Sequence, residues 1–495
     1  MTVPSVVLLD GSQPGDREIL GGKAYSVNRM KGLGLPVPPA FALPTQVCGL
    51  YHGNGRVLPD EVWEAVVEAV RALESDTGRT FGTGPSPLLV SVRSGAAQSM
   101  PGMMDTVLNL GLTPELSEVL AVESGDARWA EDTWGRFCRS YAEIVLGEQS
   151  TDAAPPSDPW EQLRQAIGAV FDSWTNDRVR TYRERHGLGA GGGTAVTVQA
   201  MVFGNRDDDS GTGVLFSRDP SSGEPVLFGE WLTNAQGEDV VSGETTPTPL
   251  AALATESPGL HGELTRIARI LETEHRDLVD IEFTVESGRL YMLQCRAGKR
   301  SPRAAVRIAV DLAESGVITT DEALQRITDD HVDSLGGAES VEDSAEGAAT
   351  ALATGLGASP GVATGVVARD FDEVMELTGN GEDVILVRTF TAPDDVPAMF
   401  QSVGVLTEVG GTTSHAALVC REISLPCVVG AGEGLLGELA GKKITIDGST
   451  GRVYAGGSVT TSRAADDAHV RALIRYAIDT GATDHPVHRL AAAAR

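Results

Sequence analysis

At 495 residues the chain has room for several domains of the usual size, about 100–200 residues each, and is too long for one small module. Hydrophobic residues make up 41% and charged residues 22%, a balance that sets disorder aside in favour of a soluble globular protein. The 39 basic and 69 acidic residues give a formal charge of -30, a field that repels nucleic acid and anionic membranes, so a nucleotide site must supply its own local cations.

The N-terminal apolar stretch has no basic region ahead of it, and no transmembrane-length apolar run follows, so neither export nor a membrane anchor is expected. The cysteines (Cys48, Cys138, Cys295, Cys420, Cys427) form no CxxC pair and are odd in number, which favours structural thiols in a reducing cytoplasm over a disulfide framework or a zinc site. No repeat is evident.

From Met1 to about Arg300, glycine-punctuated segments alternate with apolar strands, predicting a large α/β or α+β unit. Gly21-Gly-Lys-Ala-Tyr-Ser-Val27 sets Lys23 on a glycine turn. Pro87-Leu-Leu-Val-Ser-Val92 predicts a strand that Arg93 leaves in Ser91-Val-Arg-Ser-Gly-Ala96. Both cations suit a triphosphate, although either alone is equally well a solvated surface charge. Leu163, Ile167, Val170 and Phe171 recur at helical spacing between Trp160 and His186, and Thr194 to Gln199 predicts a strand. Gly211-Thr-Gly-Val predicts a glycine loop whose amides, at Gly211 and Gly213, approach a phosphate, with a plain hairpin turn as the alternative. Asp280 to Val285 and Tyr291 to Arg300 predict a hairpin. Alternation puts Asp280 and Glu282 on one face, and likewise Gln294 and Arg296. Oxygens of Glu282 and Gln294 suit Mg²⁺, and Arg296 suits a migrating phosphoryl group; a surface salt-bridge ladder is the bland alternative.

Pro302 to Ile327 reads as helix, turn, helix, with Thr320 as N-cap. Asp333 to Thr354 is small, acidic and free of aromatics, the composition of a linker and hinge. A second compact α/β unit runs from Leu356 to about Tyr454, with strands at Asp383–Arg388, Val403–Thr407 and Lys443–Ile446. Arg463 to Ile478 predicts an amphipathic helix, and Gly481 to Arg495 a frayed tail.

The most informative segment is Gly410-Gly-Thr-Thr-Ser-His-Ala-Ala-Leu-Val-Cys-Arg421, which leads from two glycines through hydroxyls to a histidine opening a helical run. At a helix start the dipole disfavours imidazolium and favours an approaching phosphate. A histidine with an ordinary pKa of about 6.5 is then mostly neutral near pH 7, with one ring nitrogen free to attack phosphorus. Thr413 and Ser414 offer hydroxyls that either cap the helix or donate to phosphate oxygens. A lone histidine buried beneath a turn is the bland alternative.

GGTTSHAALVCREISLPCVVG resembles the phosphohistidine loop of the PEP-utilising enzymes, as do GLGASPGVATGVV before it and ITIDGSTGRVY after it. The resemblance implies that His415 is the phosphorylated carrier and that Thr413 is a site of regulatory phosphorylation. Two departures stand out. Thr412 occupies a place where dikinases usually have methionine, and Leu425-Pro426 is similar to the PEP synthase branch. In the N-terminal half, Ser99-Met-Pro-Gly-Met-Met-Asp-Thr-Val-Leu-Asn-Leu-Gly-Leu112 joins the Lys23 and Arg93 segments in resembling the nucleotide-binding domain of pyruvate phosphate dikinase, an ATP-grasp relative. This resemblance implies a flap over the phosphates at Gly102 and an adenine-side strand in Val198-Gln-Ala-Met-Val-Phe-Gly-Asn205, which includes Gln199. It also assigns Lys23, Arg93, Gly211, Gly213, Asp280, Glu282, Gln294 and Arg296 to ATP, with Glu282 and Gln294 on the metal. Phe228 to Val241 continues the likeness to the dikinases.

The fold expected is multidomain α/β and α+β: an ATP-grasp-like nucleotide-binding domain over residues 1–300, a helical connector and flexible linker over 301–354, a smaller swivelling β/α phosphohistidine carrier domain over 355–456, and a C-terminal helix and tail over 457–495. Between Leu112 and Thr194 the chain is shorter than a typical dikinase, and it stops where the family's PEP/pyruvate-binding barrel of about 250 residues would begin. In the family reaction the histidine attacks ATP and AMP leaves; the pyrophosphohistidine gives its outer phosphoryl to inorganic phosphate, and the remaining phosphohistidine phosphorylates pyruvate. The resemblance implies ATP and Mg²⁺ as cofactors and an acceptor held on a separate barrel subunit or supplied as another small molecule. A homodimer is a further expectation. The alternatives are a PEP synthase-like enzyme using water as co-acceptor, a catalytically silent nucleotide-responsive regulator, and a fragment of a full dikinase.

Overall fold

The computed structural model describes residues 4–97, 105–147, 154–176, 179–180, 183, 193–237, 239, 247–335, 340–341, 351–392, 395–456, 461–462, 468–482 and 484–493. The chain divides into two compact units, one formed by 1–211 with 283–296 and the other by 212–282 with 297–495.

In the first unit, β1 (Val7–Leu8), α1 (Arg17–Gly32), β2 (Ala40–Leu43), α2 (Thr45–Gly53) and α3 (Asp60–Thr77) precede a short pair, β3 (Thr80–Phe81) and β4 (Pro87–Leu88). Then come β5 (Val90–Gly95), β6 (Thr106–Leu110), α4 (Pro114–Ser124), α5 (Ala127–Tyr141), α6 (Pro159–Ser173) and β7 (Ala195–Ala200). The main sheet has the order β1-β2-β7-β5-β6, with antiparallel neighbours throughout. Alternation along its strands sorts the side chains onto two faces. Phe41, Leu43, Val90, Val92, Val196 and Val198 join the helical residues Val66, Phe137, Leu163, Ile167, Val170 and Phe171 in one core. The opposite face carries Ser91, Arg93, Thr197 and Gln199; Ser91, Thr197 and Gln199 are buried, and α1 packs against β5 and β7. The Leu163–Phe171 periodicity is therefore a packed helix face, as its spacing predicts.

From residue 211 onward the chain forms β8 (Gly211–Phe216), β9 (Phe228–Thr233), β10 (Thr248–Pro249), α7 (Leu253–Glu256) and α8 (Pro258–His275). The chain next forms the hairpin β11 (Val279–Glu286) and β12 (Arg289–Ala297), whose turn is Ser287 and Gly288, both at positive φ (47° and 76°), the requirement of a type I′ turn. These strands complete a sheet of order β10-β9-β8-β11-β12. The predicted hairpin is present. The predicted glycine loop is not: Gly211 and Gly213 lie in β8, an interior strand, whose amides serve the ladder. The glycines read locally as a turn, but the buried Val214, Leu215 and Phe216 that follow draw the segment into the sheet.

The connector forms α9 (Pro302–Glu314), α10 (Thr320–Gln325) and α11 (Asp329–Leu335). Thr319, not Thr320, caps α10, in a capping box with Glu322. Arg218 anchors this layer, bonding to Glu272 on α8 and to Asp311 on α9. Parts of the predicted linker lie outside the described residues. Within it, β13 (Ser340–Val341) and β14 (Ala351–Thr354) are strands rather than coil, β14 pairing with a strand of the last sheet.

That sheet is built from β15 (Leu356–Ser359), β16 (Val362–Ala368), α12 (Phe371–Gly379), β17 (Val384–Arg388), α13 (Val396–Met399), β18 (Gly404–Thr407), α14 (His415–Glu422), β19 (Cys427–Val429), α15 (Leu435–Leu439), β20 (Lys443–Asp447) and β21 (Arg452–Ala455). Its order is β14-β21-β20-β16-β17-β18-β19-β15, with β16 to β19 parallel. Alternation on β17 sends Val384 and Leu386 into one core with α12 and α14, and Ile385 and Val387 into a second core with α15. After β22 (Thr461–Ser462) come α16 (Ala468–Asp479) and α17 (His488–Ala493). The predicted frayed tail thus contains a helix, held by buried Val487 and Leu490. The architecture is multidomain α/β and α+β, as expected.

Candidate active site

In the first unit several of the residues expected at the nucleotide lie around the start of α1. Gly21 breaks the helix with φ 71° and ψ 163°, and a Cβ there would lie 1.8 Å from the Gly95 carbonyl, so only glycine allows this turn to close against the end of β5. The Gly22 N–H donates to the Ala96 carbonyl at 2.9 Å, and the Lys23 Cβ lies 3.6 Å from the point where a Gly95 Cβ would be. Lys23 is thereby placed at the strand end that carries Arg93. Arg93 Nη1 donates to Gln199 Oε1 on β7 at 3.4 Å, and Gln199 Nε2 donates to the Pro38 carbonyl at 3.3 Å. One turn along α1, Ser26 Oγ accepts the Cys295 N–H at 2.9 Å, which fixes the strand carrying Gln294 and Arg296 beside the same helix. Gln294 is 7% exposed, and its Oε1 has no hydrogen-bond partner among the described residues. Gly102 lies outside the described residues. Asp280, buried, and Glu282, half-buried, stand on β11 in the second unit.

His415 is the first residue of α14. Its Nδ1 lies 3.3 Å from the hydroxyl of buried Thr391, and burial pulls its pKa below the ordinary histidine value, with Asp395 opposing the shift. Asp395 also fixes the Thr391 loop, accepting from the Ala392 N–H at 2.9 Å and pairing with Arg388 at 3.2 Å.

The hydroxyls before His415 do not cap the helix. Ser414 holds the N-cap position with no side-chain bond, and its Oγ is buried without a partner. Thr412 and Thr413 instead point their hydroxyls and backbone N–H groups at one carboxylate, that of Glu230 on β9. Oε1 accepts from the Thr412 N–H and, at 2.9 Å, from the Thr412 hydroxyl; Oε2 accepts from the Thr413 hydroxyl and, at 3.1 Å, from the Thr413 N–H. A Cβ at Gly411 would stand 2.3 Å from that carboxylate, so the approach requires glycine. Beneath the turn, buried Arg421 donates to the Thr412 and Ala358 carbonyls and stacks over Phe216.

Residues 54–260 match the model of the pyruvate phosphate dikinase AMP/ATP-binding domain, and residues 380–451 match that of the PEP-utilising enzyme mobile domain. The pyruvate, phosphate dikinase of Rhizobium meliloti is 43% identical over 89% of this chain and 56% of its own length. That of Clostridium symbiosum is 39% identical over 89% and 56%, and a chloroplastic form from Arabidopsis thaliana is 41% identical over 89% and 51%. The chain carries the AMP/ATP-binding and mobile domains found in the pyruvate phosphate dikinases. It spans about half the length of the curated relatives it matches.

The sequence reading missed Glu230, Arg421, Thr391 and Asp395. Glu230 and Arg421 both sit inside the quoted strings, and an acidic residue flanked by aromatic and apolar neighbours in Phe228-Gly-Glu-Trp-Leu was the available signal. No helix among the described residues is long and apolar enough to cross a membrane.

Proposed function

We propose that this chain is a pyruvate phosphate dikinase-like phosphotransferase that charges His415 from ATP, releases AMP, and delivers the phosphoryl group to pyruvate on a separate barrel subunit or to another small-molecule acceptor. The observation that carries the reading is His415 itself, a half-buried imidazole at a helix N-terminus with one ring nitrogen engaged by Thr391.

When Nδ1–H donates to Thr391, Nε2 bears the lone pair. Nε2 then attacks the β-phosphorus, the bond from that phosphorus to the oxygen bridging to the α-phosphate breaks, and AMP leaves. Transfer of the outer phosphoryl to inorganic phosphate yields pyrophosphate and leaves a single phosphoryl on the ring. Lys23, Arg93 and Arg296 are the cations assigned to the triphosphate, with Gln199 and Asp280 on the nucleotide. Gly211 and Gly213 would border the nucleotide from a strand, and Gly102 would cover the phosphates. The unpartnered amide oxygen of Gln294 and the half-buried carboxylate of Glu282 are hard oxygen donors that fit Mg²⁺. Once bound, the ion would neutralise phosphate charge. Thr413 is proposed as the regulatory position. Residues 1–300 would act as donor and 355–456 as carrier.

The test is incubation with ATP labelled in the β-phosphate. The wild-type chain should acquire acid-labile, base-stable label and release AMP, and His415→Ala should do neither; equal labelling of the two would end the reading.

A further inference from the structure

The turn at 411–414 holds a complete set of anion-binding groups. Two successive backbone N–H groups and two hydroxyls converge on a single carboxylate, immediately before the first residue of an eight-residue helix. Two further donors nearby are buried and unused: Ser414 Oγ at the helix start, and Nη1 of Arg421, whose other nitrogens hold the turn's own Thr412 carbonyl and the Ala358 carbonyl. Gly411 clears the space the anion occupies. Four donors from neighbouring residues, tied down from below by a buried guanidinium, form a nest suited to any compact oxyanion. Glu230, which is 3% exposed, fills it.

We propose that this turn is an oxyanion site in its own right, that Glu230 is its resident anion while the carrier turn rests on β9, and that a phosphoryl group arriving on the adjacent His415 competes with Glu230 for the same donors. The four donors cannot serve both anions at full strength, and a phosphoryl group brings a second negative charge beside a buried carboxylate. Glu230 therefore holds the uncharged carrier and loses its hold on the charged one. The oxyanion site rests on the donors alone; the identity of the competing anion rests on the phosphotransferase reading above.

Hydrogen–deuterium exchange on the whole chain, followed in peptides spanning residues 408–418, separates the two. Glu230→Gln removes the charge at nearly constant shape, and Glu230→Ala empties the nest. Both should accelerate exchange at the Thr412 and Thr413 amides by about tenfold or more, while peptides from β16 and β20, in the same unit, exchange as in wild type and report an intact fold. Inorganic phosphate added to Glu230→Ala should restore slow exchange saturably, and should leave wild type unchanged because Glu230 already fills the site. If Glu230→Ala does not fold, the phosphate arm is run on Glu230→Ser, which also vacates the nest, with the same expectation. Wild-type exchange rates in both variants would overturn the role of Glu230, and phosphate that never slows exchange would overturn the oxyanion site. Neither arm involves ATP, so a chain that fails to label His415 can still pass, and one that labels can still fail.

Discussion

His415 shows how a single residue's surroundings set its chemistry. Burial lowers its pKa from the ordinary 6.5, so the ring stays neutral, and nucleophilic, to lower pH than an exposed histidine would. Labelling should therefore be flat from pH 8 down to the ordinary histidine range and fall only as acid carries the pH through the depressed folded value. Asp395→Asn, which removes the charge favouring imidazolium, should move that acid limb lower still. By linkage, the unfolded chain holds its proton more tightly at this position, so this histidine's contribution to stability is intact above about pH 6.5 and lost as the pH falls through the folded value. Thr391→Val removes the Nδ1 partner, and the loss of one hydrogen bond, about 1 kcal/mol, predicts labelling slower by about fivefold in single-turnover assays. The histidine and its helix start were legible because glycines, hydroxyls and the apolar run are contiguous. Glu230 was not, because its partners Thr412 and Thr413 lie 182 and 183 residues away and only the tertiary fold joins them.

Among the elements, legibility tracked the strength of local periodicity. The helix with Leu163, Ile167, Val170 and Phe171 and the hairpin around Ser287 and Gly288 announce themselves through spacing and turn chemistry. By contrast, α17 has too short an apolar pattern to read, and it forms because Val487 and Leu490 find a core shared with α9 and α16. The same layer depends on Arg218, which bridges Glu272 and Asp311 with only 8% of its side chain exposed. Arg218→Ala strands two carboxylates in a largely buried setting and should lower unfolding free energy by about 3 kcal/mol in a denaturant titration. Gly21→Ala asks a helix-breaking turn to accept a Cβ 1.8 Å from a carbonyl, and should disrupt Lys23's placement as well as stability, seen as a lower melting temperature and weaker ATP binding by calorimetry.

Across the molecule, the formal charge of -30 opposes an incoming nucleotide, so on the proposed reading capture would fall to a few placed cations and a divalent ion rather than to a general field. Chelation of Mg²⁺ should accordingly reduce labelling of His415 to the His415→Ala background, and Gln294→Leu should raise the metal concentration needed for half-maximal labelling. Gly211–Phe216, read as a loop and found as a strand, marks the limit of local reading, since sheet partners from distant sequence decided it. The division of the chain has its own consequence. The first unit comprises 1–211 and 283–296, and the later segment is bound in by Cys295 to Ser26 and by Met292 to Pro36. During synthesis on the ribosome, its last strand emerges only after residues 212–282 have been made. At roughly 5–20 residues per second, that interval leaves the unfinished unit waiting for several seconds. A nascent chain arrested near residue 211 would thus expose the edge of α1 that Cys295 later covers, and would be a natural client for a chaperone.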